Sequence, residues 1–244
     1  MYCCALTPDR KRCANPARDA SNFCALHQNE SARASDPTRV PHRFGGIFSR
    51  VRAALHPPIY DGGKYDVPRA LMDAPTSYVI EQLQTHDDSM VRWMSAFVLR
   101  KRRAVQALEP LWHVLKNDHT RFVRQQSAVA LGKIGTPLVC APLVEALNHD
   151  RDQGVRQACA IALGNLALPD DLRLRIAEEI ARVLEREENI FVKWDCIVAL
   201  GQLGDRRVEK LLTHFQAEEI TQVIRDAAQD SLAEIRQRDR AAAL

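Results

Sequence analysis

The sequence predicts an all-α fold: a right-handed α-solenoid of stacked helix pairs over residues 66–244, preceded by a small irregular zinc-binding module. Three observations carry this expectation. With Val123 as anchor, equivalent positions recur at Val91, Val155, Val192 and Ile224, at steps of 32, 32, 37 and 32 residues. A basic residue follows each anchor (Arg92, Arg124, Arg156, Lys193, Arg225), and a leucine stands eight residues after it (Leu99, Leu131, Leu163, Leu200, Leu232). Only 6% of residues are aromatic, so the core is built from Leu, Val, Ile and Ala, which suits closely packed helices better than a β-sandwich. A fixed period in the thirties is the mark of a repeat array.

Asp118–His149 is the clearest unit. Its first run carries Val123, Ser127, Ala128, Ala130 and Leu131 on one helical face. Gly132 and Gly135 punctuate this run, and Thr136-Pro137 reads as an N-cap followed by proline at the first helical position. The second run places Leu138, Ala141, Val144 and Leu147 on one stripe. Neither helix can bury its apolar face alone, so neighbouring copies must stack. About five helix pairs and a terminal cap are expected, with 66–84 as a degenerate first pair carrying Leu71, Tyr78, Val79, Ile80 and Leu83.

The string V-R-x-x-x-A-x-A-L-G-x-I-G, followed by an amphipathic helix, resembles HEAT-like repeats, including those of phycobilisome lyases. The copies at 123–135 and 155–164 match well and Val192–Gly204 nearly as well, whereas the copy at 91 has Arg100-Lys101-Arg102-Arg103 in place of the glycine turn. The resemblance covers roughly residues 66–240 and implies fold more than function, because such repeats serve many partners.

The net charge of +3 is unevenly spread. Residues 1–65 carry ten Lys/Arg against five Asp/Glu, and the rest of the chain totals −2. No apolar run approaches the ~20 residues that span a bilayer, and MYCCALTPDRKRC lacks a signal-peptide core. Seven cysteines in two sets argue against a disulfide framework, and a cytoplasmic location is expected.

Four cysteines and a histidine fall within residues 3–27. Cys3, Cys13, Cys24 and His27 give Cys-x9-Cys-x10-Cys-x2-His, with Cys4 as an alternative first ligand. Three thiolates and an imidazole are a donor set that tetrahedral Zn²⁺ prefers. A segment with so little to bury would fold when the metal supplies the missing stabilisation. The segment also resembles a small three-cysteine, one-histidine module found at the ends of many bacterial and phage proteins, through Cys3, Ala5, Thr7, Cys13, Asn15, Pro16, Ala17, Cys24 and His27. That alignment favours Cys3 over Cys4. Arg10 stands where the module usually has glycine. With every ligand supplied by protein, the Zn²⁺ is expected to be structural.

Residues 30–65 form a basic, Pro/Gly-rich linker. Within it, Ile47–Leu55 reads as a short amphipathic helix, either docked on the first repeat or lying on a membrane or nucleic acid.

On the repeats, the basic residue after each anchor invites a phosphate-binding reading. Acids about five positions before the anchors (Asp118, Asp150, Glu187, Glu219) offer the alternative of ion pairs stitching neighbouring copies. Arg100, Lys101, Arg102 and Arg103 lack matched acids and read as a turn that either faces an anionic partner or is simply solvated. Trp93 and Trp194 share a repeat position and read as partner anchors or as covers for a neighbouring loop. Cys159 and Cys196 occupy a small-residue packing slot, and LALPDD (166–171) lengthens one turn. His113, His119, His149 and His214 stand singly.

No Gly-rich phosphate loop, H-E-x-x-H or G-x-S-x-G motif is present, and no histidine is followed by glutamate as in di-iron HEAT hydroxylases. The leading expectation is a non-enzymatic scaffold that binds a protein along the solenoid. The alternatives are nucleic-acid binding through residues 1–65 and, by resemblance, a phycobilin lyase or chaperone.

Overall fold

The computed structural model describes residues 67–204, 206–218 and 221–242, and the chain divides between Asp66 and Val67. The expected N-terminal module, the linker and Ile47–Leu55 lie outside the described residues.

Among the described residues all regular structure is helical. The helices are α1 (Arg69–Asp73), α2 (Thr76–Thr85), α3 (Ser89–Arg102), α4 (Leu108–Asn117), α5 (Arg121–Ile134), α6 (Cys140–His149), α7 (Gln153–Gly164), α8 (Asp170–Arg186), α9 (Ile190–Leu203), α10 (Glu209–Glu218) and α11 (Gln222–Ala242). Short 3-10 turns at Val105–Ala107, Pro137–Val139 and Arg206–Val208 lead into α4, α6 and α10.

The helices form two layers. Helices α3, α5, α7, α9 and α11 pack side by side, α2, α4, α6 and α8 form the second row, and each second-row helix packs on the first-layer helix that follows it. The tight hairpins are therefore α2–α3, α4–α5, α6–α7, α8–α9 and α10–α11, so the structural unit begins one helix before Asp118–His149. Burial follows the period. Val123, Val155, Val192 and Ile224 are fully buried, as are Leu99, Leu163 and Leu200, with Leu131 and Leu232 almost so.

Two readings of the unit are corrected. Gly132 does not punctuate the first run; it sits inside α5. A Cβ there would lie 2.6 Å from that of Ala162, and one at Gly164 would lie 2.7 Å from the Ala199 Cα. These glycines let consecutive first-layer helices approach closely. The chain does turn at Gly135 and Gly204, at φ +78° and +68°, and at Arg103, which holds the same left-handed conformation at φ 48°. Glycine adopts it without the Cβ penalty that Arg103 incurs.

The second stripe holds at Leu147 but not at Leu138 and Ala141. Leu138 is 77% exposed and Ala141 is exposed, while Val139, Cys140, Leu143 and Leu147 are buried. The cause is the 3-10 turn at Pro137–Val139. At 3.0 residues per turn it changes the phase that an α-helix begun at Pro137 would have kept. The insertion at 166–171 also goes elsewhere than expected. Here no 3-10 turn forms, and the extra residues feed α8, a 17-residue helix in a row whose other interior members have ten.

Candidate functional site

Among the described residues, the loops that close the hairpins carry the most regular chemistry. Arg92 donates Nε to Asp118 Oδ2 at 2.7 Å and Nη2 to Asp118 Oδ1 at 3.1 Å. Arg124 does the same with Asp150 at 2.8 and 2.9 Å, and Arg156 with Glu187 at 2.9 and 3.0 Å. The third nitrogen of each guanidinium, Nη1, donates to a carbonyl of its own loop: His86 at 2.7 Å, Asp118 at 2.9 Å and Asp150 at 2.9 Å. The acids also accept from the backbone N–H two residues on, at Thr120, Asp152 and Asn189. Each arginine thus joins its own loop to the loop of the next copy through planar, bidentate pairing.

These side chains are spent on the fold, so the phosphate-binding reading of Arg92, Arg124 and Arg156 gives way to the stitching reading. The Asp150 hydrogen bond raises the Arg124 pKa against the opposing effect of burial. Burial pushes the Glu187 carboxyl up, but the Arg156 hydrogen bond and the Asn189 backbone N–H bring it below its ordinary value. In the later copies, Lys193 Nζ lies 5.9 Å above the Phe215 ring, and Glu219 lies outside the described residues.

The basic cluster is not a free turn. Arg100, Lys101 and Arg102 form the last turn of α3, where cations oppose the negative end of the helix dipole. Arg102 donates to the Met72 and Ala74 carbonyls at 2.8 and 2.7 Å and to Thr76 Oγ1 at 3.2 Å, tying α3 to the α1–α2 junction. Arg100 and Lys101 lie 4.8 and 5.5 Å from the Phe97 ring centre. Lys101 and Arg103 are exposed.

Trp93 and Trp194 are buried, at 6% and 5% exposure. Trp93 stacks on Phe97 with ring centres 5.8 Å apart. Of the two readings of these tryptophans, a partner anchor needs an accessible ring, which neither offers here. Cys140, Cys159 and Cys196 are buried, and burial pushes all three thiols up, Cys159 and Cys196 far above the ordinary thiol range. The four single histidines are exposed.

An open cleft of about 330 Å³ lies between the C-terminal ends of α6 and α8, lined by residues that include His149, Arg156, Arg186 and Glu187. The Arg156–Glu187 pair forms its wall, so it belongs to the stitches. Among the described residues no group of His, Cys, Asp or Glu is placed to hold a metal ion. Cys3, Cys13, Cys24 and His27 lie outside the described residues. No helix of the described chain is long and apolar enough to cross a membrane.

The surface holds large apolar groups that sequence reasoning missed as exposed sites: Met72, Tyr78, Val105, Trp112 and Leu138. Val105 and Leu138 were legible only through the 3-10 turns that carry them, and Trp112 only through its place on the outer face of α4.

Residues 76–164 match the family model of HEAT repeats. The match runs from the start of α2 to the end of α7. No curated protein matches the chain. Among solved structures, the chain is similar to one in the complex of CpcE and CpcF of phycocyanin lyase from Nostoc sp. PCC7120. The TM-score is 0.56 at 22% identity, covering 68% of this chain and 66% of that one. At this identity the likeness carries the fold, and the chain spans slightly under two thirds of that neighbour.

Proposed function

We propose that the protein is a non-enzymatic scaffold that binds a protein partner along its repeat surface. The observation that carries this reading is the stitched two-layer array itself. Three arginine–acid pairs, two of them buried and the third, Arg156–Glu187, half-buried, fix consecutive copies against one another, so side chains at equivalent positions form one preorganised surface. The match to HEAT repeats supports it. Cross-linking in cells followed by reconstitution of the purified pair tests it. A stable stoichiometric complex is expected, and no reproducible partner would overturn it.

The N-terminal segment adds a second contact on this reading. Cys3, Cys13, Cys24 and His27 would hold one structural Zn²⁺, their three thiolates and imidazole being the donor set the ion prefers. The metal would order the segment and take no part in chemistry.

A lyase-like or chaperone role toward a chromophore-bearing protein is the second reading. It is favoured by one observation, the similarity to a subunit of a phycocyanin lyase complex. Bilin attachment in a reconstituted system, lost when residues 67–244 are deleted, would establish it. Nucleic-acid binding has no support in the repeats, whose most regular cations are paired. It rests on the basic residues 1–65, and a steep salt dependence of DNA or RNA retention by the full chain would be its mark.

A further inference from the structure

We infer that the edge of the array where α3 and α5 end is a docking surface for an acidic protein segment bearing apolar side chains. This rests on the scaffold reading and names the chemistry of its partner. The topology puts the connections into α2, α4 and α6 at one edge, opposite the loops that carry the arginine stitches, and the bonds from Arg102 to the Met72 and Ala74 carbonyls bring two of these connections together.

Two independent features coincide there. Three of the five exposed large apolar side chains of the described residues lie on this edge: Met72 at 37%, Val105 at 56% and Leu138 at 77% exposure. Single exposed apolar residues are ordinary on a protein surface; here the three recur at equal steps of 33 residues, at the same place in successive copies. Lys101, Arg103 and Lys133 lie on the same edge, exposed, with no carboxylate at ion-pair distance among the described residues; of the exposed acids there, Asp73 pairs with Arg69 and Glu109 opens α4. On the opposite edge Arg92, Arg124 and Arg156 are each matched to an acid. The helix dipole accounts for cations at the ends of α3 and α5; it does not account for exposed Val105 and Leu138.

The spacing favours a protein over a lipid surface. Packed helices lie roughly 8–10 Å apart, and an extended chain advances about 3.3 Å per residue. An extended segment with an apolar residue about every third position would therefore meet successive connections, with its acids facing the cations between them. A lipid surface would call for one continuous apolar face, whereas here the apolar groups stand singly, a copy apart.

The test uses the full chain and a fluorescein-labelled peptide with leucine at every third position and Glu or Asp between, read by fluorescence anisotropy. Saturable binding is expected, weakened on the order of tenfold by Val105→Asp with Leu138→Asp, and likewise by Lys101→Glu with Arg103→Glu and Lys133→Glu. Trp112→Ala, on the outer face of α4, should leave it unchanged, and circular dichroism melting confirms that each variant folds. Failure of the peptide to bind overturns the inference. So does equal binding by the edge variants, or equal binding of a lysine-for-acid peptide. Retention of the chain on phosphatidylserine vesicles without peptide binding would assign the edge to lipid instead. A stable complex with a cross-linked partner that the edge variants leave intact would overturn the edge and keep the scaffold.

Discussion

The Arg124 guanidinium crosses the boundary between two repeats and grips the Asp150 carboxylate through two hydrogen bonds of 2.8 and 2.9 Å, with both side chains under 10% exposed. The same atoms link Arg92 to Asp118 and Arg156 to Glu187. A HEAT-like array has contacts only between neighbours, so its stiffness depends on each boundary in turn. Here each of these boundaries carries a charged clamp in addition to the apolar packing.

Removing one partner of such a pair strands the other as a buried charge. Asp150→Ala is expected to destabilise the fold by about 3 kcal/mol or more, read as a shift in urea midpoint. Replacing both partners, as Arg124→Met with Asp150→Leu, should recover most of that loss, because apolar groups of similar volume need no pairing. A double variant as unstable as the single one would show that the pair contributes more than mutual neutralisation.

The second-helix stripe makes a paired prediction. Leu138→Ser should change stability by no more than about 0.5 kcal/mol, since the side chain faces solvent. Leu143→Ala, at a fully buried position, should cost about 2–5 kcal/mol. Reversed magnitudes would restore the stripe begun at Leu138 and remove Leu138 from the docking edge.

This pair also shows what was legible in the sequence. The anchors at Val123, Val155, Val192 and Ile224 and the arginine–acid spacing were readable because both repeat with the period and each serves a contact between copies. The exact stripe of α6 was not, because a three-residue turn changed the phase and leaves no periodic trace. Gly132 and Gly135 look alike in a string, yet one answers to a neighbour's Ala162 and the other to its own φ. Arg102 read as a surface cation because its acceptors are the backbone carbonyls of Met72 and Ala74, which no residue type announces.

The pH dependence follows from Glu187. Its folded pKa lies below the ordinary 4.5, so its contribution is complete above that value and is lost as pH falls through the folded pKa. Glu187→Gln should be less stable than the native chain near pH 7 and should show a shallower loss below pH 4.5. Asp230 carries the opposite sign: burial and then the charge of Asp226 raise its pKa above 3.8. That group weakens the fold as pH rises through its folded value, so Asp230→Asn should gain stability at neutral pH. Thermal melts across pH 3–7 in about half-unit steps read both.

About one Zn²⁺ per chain is expected in protein purified without chelator, and Cys13→Ser with Cys24→Ser should abolish it. Metal analysis of the two proteins side by side reads the result. Metal-free native protein would remove the zinc module and leave residues 67–244 to carry the function.

The scaffold reading is tested most directly by capturing the full chain's neighbours with a cross-linker in its own cells, then rebuilding the complex from purified proteins. A stoichiometric complex that persists unchanged, with cross-links falling on residues 67–244, is predicted. Covalent modification or turnover of the partner in the rebuilt mixture would contradict it.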